Sequence, residues 1–209
     1  MKLLLYLCIF LFTVFPSKCF PGNEGLPDDS SAHKFFFTID YRNSFITSTE
    51  AHVIGFRVGK ELSKKIRIGV GYHFLNSEII RTISFDNVMA NAQVRLRYGS
   101  MSAEYVLLSG TLWQLTTPVL LGFGESAYVP PVVYGIREKH FTMLIEPSLT
   151  FQYNIIPFIG IGTGIGYRFM PAGGSALRSA FETPLYDFRI KILIDDVMEV
   201  LFPRSVNKE

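Results

Sequence analysis

The residues that could do chemistry in this chain are few, and its histidines come first. There are four: His33, His52, His73 and His140. A histidine acting as a general base needs a hydroxyl or water within hydrogen-bond reach and a group to orient it. His140-Phe141-Thr142 comes nearest to such a pair, with a threonine in the place of the nucleophile. The stretch IGIGTGIGYRF, residues 159–169, is rich enough in glycine to suggest a phosphate cradle. Its spacing is wrong for one. A dinucleotide fingerprint beginning at Gly160-Ile161-Gly162 needs a third glycine where Ile165 stands, and a P-loop needs a Lys-Ser/Thr pair that does not follow. No His-Glu-x-x-His motif and no carboxylate run of calcium type appears, and Asp195-Asp196 has no partner ligands nearby. No catalytic residue, cofactor site or metal site is therefore expected.

Glycine at every second position has another meaning. A period of two is the repeat of a β-strand, and here it sets Ile159, Ile161, Thr163, Ile165, Tyr167 and Phe169 on one face against glycines and Arg168 on the other. Seven more segments alternate in the same way: 33–42, 52–60, 65–75, 88–107, 112–124, 140–153 and 184–195. The segment 88–107 is expected to change parity at Gly99-Ser100 through a one-residue bulge, with Arg95 and Arg97 on its polar face. Pro118 and Pro147 interrupt two segments and should each force a bulge, because proline cannot donate to a ladder.

The sparse face carries Asp40, Arg57, Arg67, Arg95, Arg97, Glu146, Arg168, Asp187, Arg189 and Lys191. A soluble core cannot hold so many charges cheaply. A barrel with lipid outside and polar groups inside can, provided that the charges pair. Connections point the same way. They are short after the second, fourth and sixth segments and long around 43–51, 76–87, 125–139 and 170–183, as in an up-and-down barrel with periplasmic turns and external loops. The fold expected is all-β: an up-and-down antiparallel transmembrane β-barrel of eight strands. Ten strands is the alternative, if 125–139 adds a hairpin. Eight strands leave little room for water, so the inner charges should form a salt-bridged plug rather than a pore. Aromatic residues cluster at segment ends, with Tyr41, Tyr72, Phe74, Phe123, Phe141, Tyr167 and Phe169 at the outer end. Tyr105, Trp113, Phe151 and Tyr153 mark the other.

The N-terminus has the form of a secretory signal over 1–19: Lys2, an apolar run from Leu3 to Phe15, and small residues at Ser17 and Cys19. A polar linker, 20–32, the barrel, 33–202, and a tail, 203–209, would follow. Both cysteines, Cys8 and Cys19, fall in the signal, so the exported chain would have no disulfide. Removing Lys2 and Lys18 from 20 basic residues leaves 18 against 18 acidic ones. That balance argues against a nucleic-acid partner. The chain runs on past its last strand through DDVMEVLFPRSVNKE, which leaves the assembly signal open.

Signal, eight alternating segments and sorted loops together resemble the small outer-membrane β-barrels of the OmpA/OmpX type. The resemblance implies an outer-membrane location, contact with membrane lipid and lipopolysaccharide, and insertion by the barrel-assembly machinery. It implies a structural, surface-interaction or minor transport role, with 125–139 offered to an extracellular partner. Two alternatives stand beside it: a barrel enzyme modifying outer-membrane lipid, and an exported soluble lipocalin-like carrier. Lipid A deacylase barrels are similar in size, but use a His-x-Ser pair with a Glu near the C-terminal strand, and the last segment here has no histidine.

Overall fold

The structure is a computed structural model that describes residues 34–46, 49–85, 88–129, 138–173, 178 and 181–202. The expected signal and linker, His33, Pro130-Pro131 and the tail 203–209 lie outside these residues. The strands are β1 (Phe35–Ile46), β2 (Thr49–Glu61), β3 (Ile66–Leu75), β4 (Ile79–Phe85), β5 (Val88–Ser109), β6 (Trp113–Val129), β7 (Glu138–Ile156), β8 (Ile159–Tyr167), β9 (Phe169–Ala172) and β10 (Pro184–Leu193). A short helix, α1 (Ile194–Leu201), follows the last strand. No helix among the described residues is long and apolar enough to cross a membrane.

All pairings are antiparallel, and β3 pairs with β5 to close a ring through β1, β2, β3, β5, β6, β7, β8 and β10. The barrel therefore has eight strands. β4 and β9 are outward continuations of β3 and β8, each laid against the long neighbour that runs past it, β5 or β7. The 125–139 region inserts no extra hairpin into the ring. It lengthens β6 to Val129 and begins β7 at Glu138, with Tyr128 opposite Glu138. Residues 43–51 are likewise mostly ladder, paired out to Ile46 and Thr49. At the opposite end the turns are tight. Ser63 Oγ accepts the amide of Ile66 at 3.1 Å to hold the one between β2 and β3.

Alternation puts the aliphatic and aromatic rows outside. Ile161, Phe188 and Ile190 are exposed on one flank, and Val70, Met101 and Phe123 on another. The inner row of β8 is glycine because its neighbours need the space. A Cβ on Gly162 would stand 2.9 Å from the Arg189 side chain, and one on Gly164 would run into Asp187 and Thr150.

Two sequence expectations fail on β5 and its neighbours. The β5–β6 register is unbroken from Gln93↔Val129 to Val106↔Thr116, and the irregularity falls between Val106 and Leu108, not at Gly99-Ser100. Val94, Leu96, Tyr98, Ser100 and Ser102 all point inward, so Arg95 and Arg97 point out. The error came from equating the apolar row with the outside along the whole strand. A lipid-crossing strand needs only about 9–11 residues; β5 has 22. Its outer part stands clear of lipid, and there the apolar row packs inward.

Pro118 and Pro147 also make no bulge. The β6–β7 ladder stops after Thr116↔Thr150 and resumes at Val119↔Pro147 in the same register. Pro118 lies in this gap and Pro147 at its edge on the facing strand, and two hydroxyls bridge the gap. Thr117 Oγ1 donates to the carbonyl of Ser148 at 3.1 Å, and Ser148 Oγ donates to that of Pro118 at 3.4 Å.

Candidate functional site in the barrel interior

The inner face at membrane level is a single ion-pair network. Among the described residues, six cations (Arg42, Arg57, Arg67, Arg168, Arg189, Lys191) meet five carboxylates (Asp40, Glu61, Glu104, Glu146, Asp187). Asp40 on β1 sits at its centre. It takes two hydrogen bonds from Arg57 on β2, at 2.6 and 3.0 Å, and approaches Arg42 at 3.5 Å and Arg189 at 4.0 Å. Arg42 reaches on to Glu146 of β7, which also pairs with Arg168. Toward the short-turn end Arg189 holds Asp187 at 2.9 Å and Glu104 at 3.2 Å. Glu104 passes the chain to Arg67 at 2.7 Å, and Arg67 to Glu61, which takes Lys191 at 2.8 Å. Thr150 and Gln114 accept further guanidinium bonds at 2.9 and 2.7 Å. Desolvating this many charges is offset only where each is paired and hydrogen-bonded, and the alternation of sign across adjacent strands provides that. Arg168 is the least supported. Its side chain is fully buried, its Nε donates to Glu146, and Nη1 and Nη2 find no partner among the described residues.

Of the ten residues singled out in the sequence, Asp40, Arg57, Arg67, Glu146, Arg168, Asp187, Arg189 and Lys191 meet in this interior. Arg95 and Arg97 do not. Arg95 is exposed, and Arg97 pairs with Glu125 at 2.9 Å on the outer wall. Sequence reasoning left out Arg42, Glu61 and Glu104. Arg42 shares the parity of Asp40, and Glu104 has the parity opposite to Met101, Ala103 and Tyr105, so the alternation itself could have found both. Glu61 ends β2, one residue past the alternating segment 52–60.

Above the charges the interior changes character. Val53, Ile79, Leu96, Leu120, Leu144 and Met170 pack into one buried apolar cluster with Tyr98 and Phe181. The outer end is thus filled like a soluble core and caps the charged section.

At the junction of cap and network, His73 Nε2 lies 2.9 Å from Ser100 Oγ. Gly55 makes room for the imidazole, and Tyr98 stacks on it at 4.9 Å between ring centres. Its Nδ1 has no partner among the described residues, and none of their carboxylates orients the ring. The other described histidines have separate surroundings. His52 bonds Asn43 and stacks on Tyr41, and His140 meets Tyr128 edge-on at 6.3 Å. Thr142 donates to Ser126 Oγ at 2.8 Å, so its hydroxyl is already committed within the sheet.

A closed eight-stranded antiparallel ring with an aliphatic exterior, a charged interior and tight turns at one end defines the fold class: a small up-and-down transmembrane β-barrel. No protein-family profile and no curated sequence matches the chain. Among solved structures, Neisserial surface protein A aligns over 77% of this chain and 96% of its own, with a TM-score of 0.54 and 9% identity. The N-terminal β-barrel domain of Pseudomonas aeruginosa OprF aligns over 77% and 98% (TM-score 0.48, 7% identity). Ail, the attachment invasion locus protein of Yersinia pestis, aligns over 76% and 94% (TM-score 0.45, 8% identity). At such identities the likeness is one of fold.

Proposed function

We propose that this protein is an integral outer-membrane barrel, delivered by the signal at 1–19 and inserted by the barrel-assembly machinery. In this reading the barrel is a sealed anchor, and its outer hairpins, among them the one around 125–139, form the surface that meets lipopolysaccharide and an extracellular partner. The observation that carries it is the filling of the lumen: among the described residues, paired charges occupy it below and a buried apolar cluster above. The same filling weighs against the soluble-carrier alternative, since a lipocalin-like interior would be an apolar cavity and not an ion-pair network. The protein reconstituted in planar bilayers should show no stepwise conductance of porin size. Sustained open channels at neutral pH would replace the anchor with a pore.

The His73–Ser100 pair favours a second reading, a lipid hydrolase. Three features weigh against it: both side chains are buried, Tyr98 covers the imidazole, and no acid reaches Nδ1. Lipopolysaccharide and phospholipid incubated with the purified protein should be unchanged by mass spectrometry. An acyl chain lost in a manner that depends on Ser100 would establish the enzyme.

A further inference from the structure

Helix α1 leaves the barrel at the short-turn end and has no buried residue. With 3.6 residues per turn, Ile194, Val197, Met198 and Leu201 form one stripe, and Asp195, Asp196 and Glu199 lie on the opposite side. The acidic side is the tethered one. Asp195 accepts the backbone N–H of Phe35, and Asp196 pairs with Lys34 at 2.6 Å, so the helix is fastened by its carboxylates to the start of β1. Its apolar stripe has no partner among the described residues: Met198 is 51% and Leu201 63% exposed, and Phe202 just beyond is 67% exposed. A helix free in water would not keep such a stripe bare while spending its acids on the rim.

The stripe continues an existing surface. Ile194 is next in the outward row Phe188, Ile190, Ile192 of β10, which faces lipid. Four side chains on two helical turns are also far too small an area for a stable protein contact, which needs about 800 Å² from each partner. We infer that α1 is an interfacial anchor, with its Ile194–Leu201 stripe set into the phospholipid leaflet at the short-turn end of the barrel and its carboxylates turned to the rim. An amphipathic helix of this kind lies in the plane of the interface with its apolar face at the headgroup–acyl boundary. It would hold the C-terminal end of β10 at a fixed depth. This inference concerns the lipid side of the barrel and does not depend on what the outer hairpins bind.

The chain has one tryptophan, Trp113, so single-tryptophan variants can be read without ambiguity. In a Trp113→Phe background, Leu201→Trp and Glu199→Trp are folded into phosphatidylcholine vesicles, with folding confirmed by the heat-dependent gel shift. Lipids brominated at acyl carbons near the headgroup should quench Leu201→Trp at least several-fold more than Glu199→Trp. Equal quenching of the two, or none at Leu201→Trp, would overturn the inference; the latter would mean that water or another protein covers the stripe. Should either tryptophan variant fail to fold, a nitroxide at Met198→Cys, with Cys8 and Cys19 replaced by serine, supplies the same reading. Greater accessibility to oxygen than to a water-soluble nickel chelate supports the anchor, and the reverse rejects it.

Discussion

Arg97 on β5 and Glu125 on β6 pair at 2.9 Å on the outside of the barrel, two residues along each strand from the outward Gly99–Phe123 pair. Lys139 on β7 joins Glu125 at 3.5 Å. Phe141 stands in this row opposite Glu125; below it the outer wall is Met101 and Phe123, above it Arg95 and Lys139 are exposed, and Val94 and Leu96 point into the interior. The row is the expected boundary between hydrocarbon and water.

Cysteine accessibility on intact cells tests that boundary. Arg97→Cys should react with a membrane-impermeant maleimide, and Met101→Cys, only four residues away and equally outward, should not. Comparable labelling of both would move the lipid edge beyond Arg97 and remove the explanation for the inverted cap.

Glu146 carries two buried cations, Arg42 and Arg168, and Arg168 has no second carboxylate. Glu146→Ala should therefore cost about 3–5 kcal/mol, the range for stranding a buried charge. Glu146→Leu combined with Arg168→Leu should recover a part of that loss. Urea unfolding in lipid vesicles would measure both, and a fully additive double variant would deny the coupling.

Leu144 is fully buried in the apolar cap. Leu144→Ala should destabilise by about 2–5 kcal/mol through lost burial and a residual cavity, read in the same unfolding experiment. A change under about 0.5 kcal/mol, the level of an ordinary surface substitution, would mean that the cap is loosely packed.

The glycines make a paired test. Gly164→Val places atoms against Asp187, Thr150 and the Leu149 carbonyl, and should cost about 1–3 kcal/mol or more by overpacking. Gly99→Ala meets nothing closer than 3.9 Å and should be tolerated. Folded yield and the heat-dependent gel shift separate the two. Equal behaviour would show that inward space is not what these glycines provide.

Much of this architecture was legible in the chain because strand alternation is a local property. Phe188, Ile190 and Ile192 against Asp187, Arg189 and Lys191 specify a two-faced strand before any partner is known, and eight such segments with sorted connections specify an up-and-down ring. Alternation alone does not say which face is inside, and that assignment depends on the medium at each height. At Met101 the surroundings are lipid and the apolar row faces out; at Leu96 they are water and it faces in. Treating the first rule as general placed Arg95 and Arg97 in the lumen and required a bulge at Gly99 that the register does not contain. The tertiary structure decided the rest through cross-strand register. It placed Pro118 in a ladder gap with Pro147 at its edge, brought Glu104 to Arg189 and Glu61 to Lys191 of the non-adjacent strand β10, and set Ser100 beside His73. Which groups meet across a barrel depends on strand stagger and closure, and these arise from the packing of all eight strands at once.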